Sequence, residues 1–165
     1  MRVLFLLLLI SFFSLSNAQS LVNDTADCLA VVGTFNNKKN VKNVWAYLFL
    51  DNDVIDSVET YTKLGFSFIL KPNRHYSILI TRTGYYSRLV SISTVLPPGV
   101  VPIPVFIFGF KCELFKQKNA LDDYWLDFPI AQVAYDPESK IFEYDRRYTQ
   151  AIKEKLTNMG FKQRH

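Results

Sequence analysis

The residues able to do chemistry in this chain are few, and the two histidines come first. Nucleophilic catalysis needs a base beside the nucleophile. His75 and His165 are the only histidines. His165 is the last residue, and His75 shares strand parity with Ser77 opposite Tyr76 and Ile78, which points it at solvent or the strand rim. GxSxG, HExxH and phosphate-cradling glycine patterns do not occur, and six glycines leave little scope for one. Carboxylates are the other catalytic route. Asp122, Asp123 and Asp127 flank Tyr124 and Trp125, residue types that a glycosidase uses as acids and sugar platforms. Glycoside hydrolysis needs two carboxyls at a set separation across a cleft, and spacing alone shows no cleft. The simpler reading is solvated loop acids. A third is carbohydrate binding without hydrolysis, through Trp125 and Tyr124 with Tyr85 and Tyr86 as further platforms.

Metal chemistry has weaker footing. Asp51-Asn52-Asp53 with Asp56 offers hard oxygens for calcium, but the later Gly and Glu of an EF-hand loop are missing and a hairpin turn accounts for the acids. There is no CxxC, so neither a metal site nor a cofactor is expected. Cys28 and Cys112 are the two cysteines. Strand parity lets both thiols point into a core. In an oxidising compartment they have one possible pairing, joining the first strand to a late one. The alternative is two buried free thiols.

The elements that must carry these residues read as short strands between turn signals. Strands are expected at 29–35, 44–50, 54–61, 66–70, 76–81 and 88–94. Pro97-Pro98-Gly99 is the strongest punctuation. In 100–110 the prolines Pro102 and Pro104, two apart, remove amides from one edge and mark a strand that borders its sheet. A turn at Asp136-Pro137-Glu138-Ser139-Lys140 separates two hairpin strands, 130–135 and 141–144. Asp145 can cap a helix in which Tyr148, Ile152, Leu156 and Met159 form an apolar stripe, and Gly160 stops it. The stripe is narrow, so the helix is expected on the outside of the sandwich or of the hairpin. Trp45, Tyr47 and Phe49 share one strand face. Either another layer such as that helix covers them, or they form an exposed patch; coverage is the expectation.

Localisation follows from the first eighteen residues. Met1-Arg2, the apolar run Val3–Phe13 and the small residues up to Ala18 have the form of a secretory signal peptide. The run is too short for a membrane span, which needs about 20 apolar residues. The remainder, 19–165, fits one domain with an appendage and no later span. Formal net charge is +4. The basic clusters Lys38-Lys39-Lys42 and Arg146-Arg147 make no continuous stripe, so a nucleic-acid partner is not expected.

Gly33, Val44, Tyr47, Leu50, Ser57-Val58-Glu59-Thr60, Gly65-Phe66-Ser67-Phe68-Ile69-Leu70, Pro72, Tyr76-Ser77-Ile78 and Gly84-Tyr85 follow a particular order. In that order the stretch 29–95 resembles the carboxypeptidase-regulatory-like domains, transthyretin-like (prealbumin-like) β-sandwiches of exported bacterial proteins. The chain departs from the family where Thr62-Lys63-Leu64 stands in place of the usual turn aspartate. The resemblance implies a non-catalytic module for adhesion, ligand display or assembly support, and brings no catalytic residue. The expected fold is mainly β: a transthyretin-like, immunoglobulin-like antiparallel sandwich over 19–112. A C-terminal extension, 113–165, supplies a loop, a hairpin and an amphipathic helix packed on it. The expected function is that of an exported, periplasmic or extracellular interaction module with a protein partner of the cell envelope. A glycan-binding module is the second reading, and a small hydrolase built on Asp122, Asp123 or Asp127 the third.

Overall fold

Alternation of apolar and polar side chains gives each strand one face to bury. The computed structural model describes residues 26–35, 42–60, 65–102, 104–117 and 127–161. Residues 1–18, read from the sequence as a signal peptide, and Asp122, Asp123, Tyr124 and Trp125 lie outside the described residues. The elements are β1 (Leu29–Phe35), β2 (Val44–Leu50), β3 (Asp53–Thr60), β4 (Phe66–Leu70), β5 (His75–Thr81), β6 (Arg88–Ser93), β7 (Phe106–Cys112), β8 (Ala131–Asp136), β9 (Ile141–Tyr144) and α1 (Arg146–Asn158). The chain is mainly β, with strands where the turn residues bracket them.

Two sheets face each other. The smaller has the order β4-β1-β7 and the larger β3-β2-β5-β6-β8-β9. Leu29, Val31, Phe68, Leu70, Phe108 and Phe110 from the smaller sheet and Val44, Ala46, Ile78, Ile80, Val90 and Ile92 from the larger meet in one buried core. Five of the described ladders are antiparallel, but β1–β7 and β6–β8 are parallel. The sandwich is therefore mixed, not antiparallel throughout. Parallel neighbours need a long connection between them, and the 113–130 stretch together with β7 supplies one between β6 and β8. The C-terminal hairpin consequently extends the larger sheet instead of lying on it.

Turn chemistry fixes the registers. Asp51 and Asn52 both take positive φ (50° and 71°) between Leu50 and its partner Asp53, the two-residue geometry that matches strand twist. This explains Asp51-Asn52-Asp53 without an ion. The β4–β5 turn is tied to the end of β6 by Thr94, whose fully buried hydroxyl donates to Lys71 O at 2.7 Å and accepts from Arg74 N at 3.0 Å. Among the described residues of 100–105 the expected edge strand does not form. Both prolines precede β7, whose ladder begins where Phe106 N donates to Cys28 O at 3.0 Å, two residues past the missing amide of Pro104. β7 is nonetheless an edge of its sheet, as the prolines indicate.

Helix α1 starts on Asp145, which accepts from Tyr148 N at 2.9 Å. It ends where Phe161 N returns to Leu156 O at 3.0 Å past Gly160, a C-terminal closure that glycine permits. Ile152 and Leu156 are buried with Phe161 against Tyr86, Phe115 and Phe128. The helix lies against β8 of the hairpin with most of its residues exposed, as the narrow stripe led one to expect. Ile152 and Leu156 share a cavity with the inward residues Arg88, Val90 and Ala131 and with Phe110 of β7. The buried stripe of α1 lies on the face of the larger sheet that carries Val90 and Ala131, beside β7, whose Phe106 and Phe108 rings pack on Tyr135, Phe142 and Tyr144 of the hairpin.

Candidate functional site

With α1 on the same face of the larger sheet as the smaller sheet, the opposite face is left without a layer from the described residues. Trp45, Tyr47 and Phe49 point outward from β2, opposite the buried Val44, Ala46 and Leu48. Trp45 is 37% exposed, and Tyr47 and Phe49 are half-buried by their neighbours in the sheet. The register sets Trp45 between Glu59 and Thr81, Tyr47 between Ser57 and Leu79, and Phe49 between Val54 and Ser77. Leu79 in turn pairs with Leu89 on β6. An apolar centre of three aromatics and two leucines is thus rimmed by serine, threonine and one carboxylate. The rings of Trp45 and Tyr47 are 5.8 Å apart and within 14° of parallel. Farther along the same face, Gln132 and Ala134 of β8 are also exposed. This corrects the expectation that the helix covers the aromatics.

The other candidate residues are dispersed. Tyr85 is half-buried, bridges to Lys116 and carries the Arg82 guanidinium 4.4 Å from its ring centroid. Tyr86 meets Phe161 edge-on at 5.3 Å in the helix cluster. The two tyrosines are adjacent in sequence but serve different packing sites, and they form no joint platform. Asp127 is exposed, and so is His75, at the start of β5.

Cys28 and Cys112 are both buried and both free. The parallel register explains why. Leu29 pairs with Phe106 and Phe35 with Cys112, so the thiols stand at opposite ends of neighbouring strands, roughly 20 Å apart along the strand direction. A disulfide needs Cα atoms within about 7 Å. Neither the adjacency of the two strands nor their relative direction was legible in the sequence. Burial pushes the Cys28 thiol up to about 11 and the Cys112 thiol up to about 12. Both are protonated at neutral pH, and a thiol is a poor nucleophile in that form.

One group escaped the sequence reading. Arg88 is 3% exposed. Its Nε donates to Glu113 O at 3.4 Å, and its guanidinium lies 4.5 Å from the Phe115 ring centroid. Its Nη1 is buried with no hydrogen-bond partner, as is Thr149 Oγ1 on α1. Desolvation lowers the Arg88 pKa, while the carboxylate of Glu113 raises it, and a guanidinium remains charged at neutral pH. The available signal was parity, because Arg88 occupies the same face as Val90 and Ile92.

Among the described residues, no cluster of three or more His, Cys, Asp or Glu side chains could hold a metal ion. The scaffold offers one broad aromatic surface and one internal cationic cavity. Comparison with known families and with curated proteins found no match.

Proposed function

We propose that this protein is an exported, non-catalytic interaction module that presents its Trp45–Tyr47–Phe49 face to a protein partner of the cell envelope. The observation that carries the reading is the aromatic face that no other layer of the described residues covers, with its apolar centre and polar rim. Aromatic side chains set in a ring of weaker polar contacts are the usual composition of a protein-binding hot spot. A rigid sheet also holds them without the ordering cost of a loop. Export rests on the Met1–Ala18 segment, and the order of β signals over 29–95 resembles non-catalytic carboxypeptidase-regulatory-like modules. A carbohydrate-binding reading is favoured by one observation, the near-parallel ring pair of Trp45 and Tyr47, which offers π-faces to a sugar.

The test compares wild type, the double variant Trp45→Ala/Tyr47→Ala and the control Ile107→Ser, whose side chain lies exposed on the other sheet. Each is immobilised against envelope extract and, separately, a polysaccharide array. A specific protein should be retained by wild type and by Ile107→Ser. Its affinity should fall at least roughly 30-fold in the double variant, the equivalent of about 2 kcal/mol for a hot-spot truncation. Equal retention by the double variant would remove the aromatic face from the proposal. Polysaccharide binding lost only in the double variant would replace the protein partner with a glycan.

A further inference from the structure

The aromatic face continues past β2 onto the edge strand β3, and a β-bulge builds the extension. Asp56 pairs with Leu48 but Val54 pairs with Phe49, so Val54 and Ile55 together oppose one residue. A bulge of this kind inserts one residue and re-aims its neighbours' side chains. Val54 is 53% exposed and Ile55 51%. The β2–β3 hairpin thus adds two open aliphatic side chains to the three aromatics. Its charge is one-sided as well. Residues 44–60 hold four carboxylates, Asp51, Asp53, Asp56 and Glu59, and no lysine or arginine. The whole chain has the opposite sign, +4. Asp51, Asp53 and Asp56 are exposed. Lys42, before β2, and Arg74, before β5, are two cations against four carboxylates, so the sign stays negative. Across the sheet Thr81, Leu79, Ser77 and Ser91 add no charge to the same face.

An apolar centre flanked by carboxylates calls for a surface that is apolar and cationic, since interfaces match potentials of opposite sign. Given the docking role of this face, on which the inference rests, we propose that the partner meets it with an arginine-bearing segment. One guanidinium stacks on the Trp45–Tyr47 ring pair, aliphatic side chains of the segment cover Val54 and Ile55, and further arginines stand near the hairpin carboxylates. Arginine fits better than lysine, because its guanidinium is planar, weakly hydrated and stacks on aromatic faces. A second copy of the chain fits poorly. An isologous contact sets a patch against itself, and this patch brings carboxylates with no lysine or arginine of its own hairpin to meet them. Addition of a strand along β3 is also opposed. The bulge at Ile55 and the charges of Asp53 and Asp56 are devices that block pairing at a sheet edge. The partner therefore lies on the face, not along the edge.

The probe is a blocked pentapeptide that alternates arginine with leucine. Two counterparts carry citrulline, which keeps the shape without the charge, or glutamate, which reverses it. Amide and side-chain NMR shifts of the purified protein read the titrations. The arginine peptide should move the Trp45, Tyr47, Val54 and Ile55 resonances saturably and bind at least about fivefold tighter than the citrulline peptide. Raising salt from about 0.05 M to about 0.5 M should narrow that gap. Asp51→Asn/Asp53→Asn/Asp56→Asn should weaken the arginine peptide by several fold and leave the citrulline peptide unchanged. Asparagine tolerates the positive φ that Asp51 adopts, so the turn is kept. Equal or tighter binding of the citrulline or glutamate peptide at the same resonances would overturn the cationic partner while leaving the docking face in place. The inference also fails if the arginine peptide moves no resonance of the face, or only resonances elsewhere. The face itself is then judged separately, by retention on Trp45→Ala/Tyr47→Ala. Concentration-dependent shifts of the same resonances without peptide would put a second copy on the face and overturn the inference too.

Discussion

Replacing Gly65 with alanine is expected to destabilise the sandwich by about 3 kcal/mol or more, a large share of a typical domain's 5 to 15 kcal/mol. Two effects add. Gly65 adopts φ +76°, a left-handed conformation that costs an L-residue roughly 1–2 kcal/mol. In addition, a Cβ at this position would sit 1.8 Å from the Gly33 carbonyl oxygen, which belongs to the backbone of β1 and cannot rotate away. The strand must move, and Phe66, the neighbour of Gly65, is paired with Gly33 and moves with it. Overpacking of this kind adds about 1–3 kcal/mol. Gly84 is the control, because its φ is +75° but nothing lies within 4 Å of its hypothetical Cβ. Urea unfolding should give Gly84→Ala the backbone penalty alone and Gly65→Ala that penalty plus the collision. Equal midpoints for the two variants would contradict the close approach of β4 to β1.

Truncating Phe68 to alanine should cost about 3–5 kcal/mol, as expected for a buried phenylalanine. Phe68 is 2% exposed at the centre of β4. It faces the larger sheet, pairs across the smaller sheet with Val31, which in turn pairs with Phe108, and packs 5.5 Å from the Phe66 ring. Its neighbour Ile69 points the other way and is 52% exposed. Ile69→Ala should therefore change stability by no more than about 0.5 kcal/mol. The contrast between adjacent residues of similar hydrophobicity is a direct reading of which face is buried. Comparable losses at both positions would mean that the outer face of the smaller sheet is covered.

Much of the fold was legible because local signals were strong. Strand limits at Leu29–Phe35, Val44–Leu50, Phe66–Leu70 and Ile141–Tyr144 followed from apolar runs, alternating or continuous, bracketed by polar turns. The helix followed from Asp145, the Ile152–Leu156 spacing and Gly160. Partner choice was not local. Nothing in Cys28 or Cys112 indicates that β1 and β7 run parallel, and that direction alone separates the thiols. The helix stripe showed that Ile152 and Leu156 need cover, but not that Tyr86, Phe115, Phe128 and Phe161 would supply it. That non-local fact exposes Trp45 and encloses Arg88, so neither candidate site could be assigned before the sheet order was known. Tyr85 and Tyr86 illustrate the converse case, since adjacent aromatics look like one platform until strand and helix packing separate them.

Solvent paramagnetic relaxation measured with a soluble gadolinium chelate tests the arrangement most directly, because it reports which side of the larger sheet is open. Strong enhancement at the Trp45 and Tyr47 rings, with the Val133, Ile152 and Leu156 methyls close to their unenhanced rates, is the expected result. Shielded Trp45 and Tyr47 rings together with strongly enhanced Ile152 and Leu156 methyls would mean that the inner side is the open one. The aromatic face would then be covered, and the binding surface proposed on it would be lost.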